Sequence, residues 1–420
     1  GLRNENNINK RKALLWISIV VNLGLLGFFK YYNFFIDNFI TAFSFFGTEI
    51  QATSLNVILP VGISFYTFQT LSYSIDVYRK KLAPTNDFIA FSAFVSFFPQ
   101  LVAGPIERAT DLLPQFYKKR NFDYEKAVDG LRQILWGLFK KIVIADNCAK
   151  YANMIFNDSD DYSGSTLVLG AVFFTFQIYA DFSGYSDIAI GTSRLFGFNL
   201  KQNFNFPYFS RNIAEFWRRW HISLSTWFRD YLYIPLGGSR GSVWNKIRNV
   251  FIIFIVSGFW HGANWTFIVW GALNAVYFLP LLLTKKNREN IDTTVKGDFL
   301  PSIKDSFFIL ITFSMTTCAW VFFRAENMEH AISYLSHIPS FSLFSLPYIN
   351  EADHQFLPKT IILVVSLFVV IEWFGRNDQF ALQNIALKFK RPIRYVMYYV
   401  IVFAIYWFGI EEQQFIYFQF

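Results

Sequence analysis

The stretch Asn249–Leu283, NVFIIFIVSGFWHGANWTFIVWGALNAVYFLPLLL, decides how this chain is read, because two apolar runs meet there at Trp260-His261-Gly262. Basic residues flank it on both sides, Lys246 and Arg248 before and Lys285-Lys286 after. Apolar runs that leave from and return to a basic edge predict a membrane hairpin with His261 at its tip. The twelve residues from Asn249 to Trp260 would carry that tip ~18 Å in, about half the bilayer thickness. An imidazole at such depth is costly unless it is paired with a neighbouring helix or used in chemistry, and the residues alone leave both open.

Composition agrees with membrane residence. Of 420 residues, 53% are hydrophobic and 16% charged, against about a quarter charged in soluble domains; mean hydropathy is +0.29. The net charge of +8 sits in short clusters between apolar runs, as in positive-inside loops, and not on one soluble face, so nucleic acid is not expected as a partner. Aromatic residues make up 21%, which suits lipid-facing surfaces and interfacial belts but carries no catalytic information. Cys148 and Cys318 lie far apart without CxxC or Cys/His ligand spacing, so neither a disulfide framework nor a metal site is expected. The first residue is Gly1 and no signal peptide can be read after it; the chain reads as one missing its beginning, with membrane spans upstream.

Lys10-Arg11-Lys12 precedes an apolar run, Ala13 to Phe29, long enough for a first span with a cytoplasmic start. Tyr31 to Phe46 mixes aromatic and polar residues and predicts a helix lying along the interface. Leu55 to Tyr78 carries a polar stripe of Ser64, Thr67, Gln69, Ser72 and Asp76 and is expected to line a protein interior. Phe88 to Leu101 breaks at Phe97-Phe98-Pro99-Gln100 between basic clusters, which predicts a re-entrant element. Leu131 to Ile144 is interrupted by Lys140-Lys141, and Thr166 to Ala180 runs into Asp181 before its hydrophobicity ends. Arg211 to Gly238 is amphipathic and either lies in the interface or dips to a protein-lined site. Later spans are expected at Phe307–Phe323, Ile361–Trp373 and Ile393–Trp407, with His330, His337 and His354 in an irregular segment where a solvated or structural role is expected. The fold class is therefore all-α, a polytopic membrane protein with about nine to eleven spanning or re-entrant helices.

Two histidines stand apart. His261 is followed by Gly262, which permits close approach of a backbone or ligand, and by Asn264, which can orient groups by hydrogen bonding. His221 lies in WRRWHISLSTWFRDYLYIPLGG, Trp217 to Gly238, where an interfacial belt helix is the alternative to a site. Two membrane-level histidines make a shared site more plausible than either alone. No Walker A, GxGxxG or GxSxG pattern supports nucleotide or hydrolase chemistry, and no third histidine or carboxylate has the spacing of an intramembrane metalloprotease.

Five stretches resemble the membrane-bound O-acyltransferase (MBOAT) family, and within it the bacterial alginate O-acetyltransferase branch. They are PVGISFYTFQTLSYSIDVYR (Pro60–Arg79), FFPQLVAGPIER (Phe97–Arg108), YADFSGYSDIAIG (Tyr179–Gly191), FWRRWHISLSTWFRDYLYIPLGG (Phe216–Gly238) and SGFWHGANWTFIVWG (Ser257–Gly271). The resemblance implies one MBOAT transmembrane domain over residues 1–420, arranged around a central tunnel, with His261 catalytic and His221 shaping or supporting the same site. It implies no bound cofactor. The donor substrate is an acyl thioester, acetyl-CoA or an acyl carrier, on the cytoplasmic side of a bacterial inner membrane. The acyl group, acetyl in this branch, passes to hydroxyls of an exported polysaccharide, directly or through an extracytoplasmic SGNH-type partner, with membrane lipid around the protein. A neutral imidazole is a suitable base for the attacking hydroxyl.

Asn264, Trp265 and Arg218 are candidate oxyanion or tunnel-lining groups. Gln177 and Asp181, with Gln69 and Asp76, are candidate lining for the substrate route, although helix-packing contacts explain them equally well. The C-terminal Phe415-Ile416-Tyr417-Phe418-Gln419-Phe420 resembles the family ending, which implies an acyl relay at Tyr417, with an interfacial anchor as the alternative. Export of D-alanyl or another acyl group to a cell-wall polymer shares this layout. A transporter or flippase without covalent chemistry also carries discontinuous helices and buried polar residues.

Overall fold

In a chain this apolar, backbone N–H and C=O groups must be satisfied within their own segment or by buried partners, and the helix does this most economically. The computed structural model, which describes residues 7–47, 54–55, 58–291, 300–351, 354–409 and 413–416, is helical apart from one short β-hairpin. α1 (Ile8–Leu26) continues through a π-helical turn (Gly27–Tyr31) into α2 (Tyr32–Phe45), followed by α3 (Ile63–Tyr78), α4 (Phe88–Val95) and α5 (Ala109–Phe116). α6 (Tyr124–Leu138) passes through a second π turn (Phe139–Ala145) into α7 (Asp146–Asn157), and α8 (Gly164–Leu195) is a single helix of 32 residues. Short α9 (Ile213–Arg219) and α10 (Ile222–Phe228) lead by a third π turn (Arg229–Tyr233) to α11 (Val243–His261) and α12 (Trp265–Leu283). Next come α13 (Ile303–Arg324), α14 (Met328–His337), the strands β1 (Ile349–Glu351) and β2 (His354–Phe356), α15 (Lys359–Gly375), α16 (Leu382–Ile385) and α17 (Arg391–Phe408). β1 and β2 pair antiparallel with Asn350 opposite Gln355.

Among the described residues, Ile8–Phe45, α8, α12 and α13 are long and apolar enough to cross a membrane. α8 is the buried pillar of the molecule, whereas the Ile8–Phe45 rod is largely exposed. Two pairs of glycines let α6 approach α8 closely: a Cβ on Gly130 would lie 2.7 Å from the Gly191 oxygen, and one on Gly137 2.7 Å from the Gly184 oxygen. Just beyond Gly137, Lys140 Nζ pairs with Asp187 at 2.6 Å, and Gln133 Nε2, between the two glycines, donates to the same carboxylate at 2.7 Å. Buried charge is tolerated at such a contact because it is paired.

The hairpin expected from the sequence is present and is closed by the same device. A Cβ on Gly258 would stand 2.1 Å from the Phe267 oxygen, and one on Gly271 2.3 Å from the Phe254 oxygen. Three expectations are corrected or refined. α11 starts at Val243, with Ser242 as its cap, six residues before Asn249, so the helix runs ~27 Å to His261 and takes in the basic flank as well as the apolar run. Tyr31 to Phe46 is not a separate interfacial helix but the continuation of α1, since no breaking residue intervenes and Lys30, which looks like a boundary, is bonded inside. Lys140-Lys141 does interrupt the regular α-helix, which passes there into the π turn Phe139–Ala145, yet the chain stays helical and both ammonium groups find carboxylates. For Arg211 to Gly238 the second alternative obtains: Phe216, Trp220, His221 and Phe228 are buried.

Replacing Gly258 or Gly271 by alanine drives a methyl group into the backbone of the facing helix. Overpacking of this kind costs about 1–3 kcal/mol, so each variant is expected to unfold at a lower temperature in detergent than the parent. Gly24→Ala, where nothing lies within 4 Å, is the control and should unfold like the parent.

Candidate active site

α11 stops at His261 because Gly262 is fully extended (φ −159°, ψ 154°). A Cβ there would lie 2.0 Å from the Phe267 ring, so a side chain does not fit. A helix ending inside a protein leaves its last carbonyls without intrahelical partners. Here the donors come from the first rod: Tyr31 Oη donates to the Phe259 oxygen at 2.9 Å, and Lys30 Nζ donates to the oxygens of Trp260 (2.9 Å) and His261 (2.8 Å). Left unpaired, each such carbonyl would cost about 1–3 kcal/mol. The imidazole of His261 stands edge-on to Trp270 (centroids 5.3 Å, 88°) and Phe323 (5.2 Å, 71°) and 4.8 Å from the Trp260 ring. Trp320 stacks on Trp270 at 5.5 Å behind it.

His221 caps α10 in the left-handed region (φ 44°, ψ 55°), a conformation worth about 1–3 kcal/mol of strain for such a residue. Asn203 holds it there. Its backbone oxygen accepts from Ile222 N at 2.9 Å, and its Oδ1 is shared by His221 Nδ1 (3.1 Å), Ser223 N (3.2 Å) and Ser223 Oγ (2.9 Å). An amide oxygen only accepts, so Nδ1 carries the proton and Nε2 of the neutral ring keeps the lone pair. Ser223 Oγ also accepts from Ile106 N at 3.0 Å, which ties the Phe97–Arg108 stretch to this hub. The His221 ring meets Phe182 edge-on at 4.7 Å and the Trp260 ring at 6.2 Å. One indole therefore lies against both imidazoles, and both histidines are buried.

A cavity of about 240 Å³ lined by Trp217, Ser225, Arg229, Ser239, Ser257 and Asn287, among others, runs beside α11. Ser257 precedes His261 by four residues and so shares its face of the helix. Larger cavities of about 630 and 420 Å³ lie between α6, α15 and α17 and between α8, α13 and α15. Their walls are almost wholly apolar, and neither histidine lines them or the smaller cavity beside α11.

The remaining candidates are dispersed. Asn264 caps α12, its Oδ1 accepting from Thr266 N at 3.1 Å and its Nδ2 donating to the Glu326 oxygen at 2.7 Å. Trp265 is 53% exposed and donates to Asn38 Oδ1 at 2.9 Å. Arg218 donates to the oxygens of Asn287 (2.9 Å) and Glu289 (2.8 Å), holding the segment after α12 beside the cavity. Gln177 is buried on α8 with its Oε1 unbonded among the described residues. Asp181 pairs with Lys141 at 3.0 Å and accepts from Ile416 N at 2.7 Å, while Lys141 donates to the Gln413 oxygen at 3.2 Å; Ile416 is buried. Tyr417 lies outside the described residues. Lys30 and Asn203 were not singled out by sequence. The first sits at what looks like the end of a span, and the second carries no periodic signal that links it to His221.

Residues 11–322 match the family model for MBOAT, the membrane-bound O-acyltransferase family. A protein of Azotobacter vinelandii named "Probable alginate O-acetylase AlgI" is 40% identical over 384 residues, 91% of this chain and 74% of the relative. Its namesake from Pseudomonas aeruginosa is 40% identical over 395 residues, 93% of this chain and 72% of the relative. A peptidoglycan O-acetyltransferase of Helicobacter pylori is 38% identical over 382 residues, 84% of this chain and 70% of the relative. With these matches and its long apolar helices, the chain belongs to the membrane-bound O-acyltransferase family and is an integral-membrane acyltransferase.

Proposed function

We propose that the chain is an O-acetyltransferase of a bacterial cytoplasmic membrane that modifies the hydroxyls of an exported polysaccharide. The observation that carries this reading is the pair of buried imidazoles, His221 and His261, against the one indole of Trp260; a cavity lined by Ser257 lies one turn along α11 from His261. Relatives named for O-acetylation of alginate and of peptidoglycan support the acetyl group and the polysaccharide acceptor.

In this reading an acyl thioester, acetyl-CoA or an acyl carrier, enters from the basic, cytoplasmic end past Arg229 and approaches His261. The imidazole takes the proton of the attacking hydroxyl while its oxygen bonds to the thioester carbonyl carbon. The carbon–sulfur bond then breaks, and the proton passes from the imidazolium to the departing thiolate, so His261 returns neutral. No cofactor enters this balance. His221, its tautomer set by Asn203, supports the site through Trp260.

Tyr417 is proposed as the first acceptor, its phenol oxygen carrying the acetyl group to an extracytoplasmic SGNH-type partner. The seating of Ile416 on Asp181 supports this, because Phe182, the next residue of α8, is the ring packed on His221.

His261→Ala is expected to lower acetylation of the surface glycan by ~10²–10⁴-fold, the size of a lost general base, with membrane insertion intact. Persisting acetylation in an inserted variant would end the enzyme reading. Asn203→Leu removes the acceptor that fixes His221 and is expected to slow transfer about tenfold, the worth of one hydrogen bond. An unchanged rate would show that the tautomer of His221 does not matter. Tyr417→Phe is expected to stop acetyl groups reaching the exported glycan; unchanged glycan acetylation in cells would count against the relay while leaving the role of His261 standing.

A further inference from the structure

One polar contact, made by Lys30, lies outside every motif that suggests the family. Lys30 is half-buried on the π turn between α1 and α2 and makes its hydrogen bonds to the backbone oxygens of Trp260 and His261, at 2.9 and 2.8 Å. A lysine drawn into a membrane protein is expensive unless paired. Among the described residues no carboxylate forms an ion pair with it; its partners are the last two carbonyls of α11. The next residue, Tyr31, takes the carbonyl before them.

We propose that Lys30 is a positioning residue for acyl transfer. Its ammonium closes the C-terminal end of α11 and thereby fixes the direction in which the imidazole of His261 leaves the helix. The inference rests on reading His261 as the base and adds what holds that base in place. The last turn of a helix frays readily when nothing caps it, and here the last turn carries the reactive side chain. Gly262 is extended and supplies no backbone cap of its own. Tyr31 strengthens the assignment, because its ring also stacks on Phe259 at 4.3 Å, so two consecutive residues grip the same turn. Lysine suits this task because a single ammonium donates in several directions from one point, and so serves two adjacent carbonyls at once.

The test uses the full chain in membrane vesicles with acetyl-CoA as the donor probe, measuring kcat, KM and thermal unfolding in detergent. Lys30→Met is expected to lower kcat about tenfold or more, the loss of charge-assisted hydrogen bonds to the helix end, with KM for acetyl-CoA unchanged. Lys30→Arg, whose guanidinium can donate to both oxygens, is expected to recover most of the rate. A parent-like kcat in Lys30→Met, or a raised KM at parent-like kcat, overturns the proposal. Should Lys30→Met not accumulate, the decision falls to Lys30→Arg against Lys30→Gln: a faster arginine variant at equal unfolding temperature supports positioning, and equal rates overturn it. His261→Ala run alongside separates the two ideas. An active His261→Ala removes the reading of the base itself, whereas an inactive one beside a parent-like Lys30→Met removes only the role of Lys30.

Discussion

A helix that ends inside a membrane protein has no water to satisfy the carbonyls of its last turn, and the arrangement of this molecule follows from how α11 meets that constraint at His261. The usual left-handed glycine cap is not used, because Gly262 is extended beneath the ring of Phe267. The donors come instead from Lys30 and Tyr31, more than two hundred residues earlier. This contact gives a mostly exposed N-terminal rod a fixed relation to the buried tip. It also means that the position of the proposed base depends on a segment with no reactive residue of its own.

Two lysine sites that grip neighbouring elements, Lys30 and Lys140-Lys141, fall on π-helical turns, and the geometry explains why. Successive side chains on a regular helix diverge by ~100° around the axis, so neighbours in sequence rarely reach neighbouring partners. A π turn relaxes that rule locally. Lys30 and Tyr31 reach three successive carbonyls of α11, and Lys140 and Lys141 reach Asp187 and Asp181, on one helix but six residues apart. The second pair does different work from the first. Lys140 binds the turn after α6 to the pillar α8 beside the Gly137–Gly184 contact, while Lys141 and Asp181 together hold Gln413 and Ile416 near the C-terminus.

These partnerships mark the border of what the sequence could convey. The hairpin tip at His261 is legible because apolar runs and basic flanks are local signals, and the polar stripe of α3 is legible for the same reason: Thr67, Gln69, Ser72 and Asp76 are buried. Lys30 reads as the end of a span, since a lone lysine after an apolar run has that meaning unless a distant carbonyl accepts it. Lys140-Lys141 reads as an interruption on the same grounds. Asn203 is invisible because its value lies in an oxygen shared among His221 and Ser223 after folding. Asp181, which the sequence leaves open between a substrate route and a packing contact, bonds Ile416 N and Lys141, and nothing local distinguishes those roles for a carboxylate in an apolar helix.

The two histidines, finally, owe their meeting to neither of their own segments. His221 sits in a strained conformation that its own short helix does not require, and Asn203 absorbs that strain through three bonds to one side-chain oxygen. His261 ends a helix whose last turn would fray, and Lys30 and Tyr31 prevent it. Trp260 is the part common to both, since its backbone oxygen is gripped by Lys30 and its ring lies against both imidazoles. Groups held on helix ends and locked by packing keep their geometry better than groups on loops. With Gly258 and Gly271 locking α11 to α12 behind the site, a rotation of α11 would move the Trp260 indole against both rings at once. The hairpin contact, the helix cap and the asparagine hub thus constrain different atoms of one arrangement, and loss of any one is felt at the same indole.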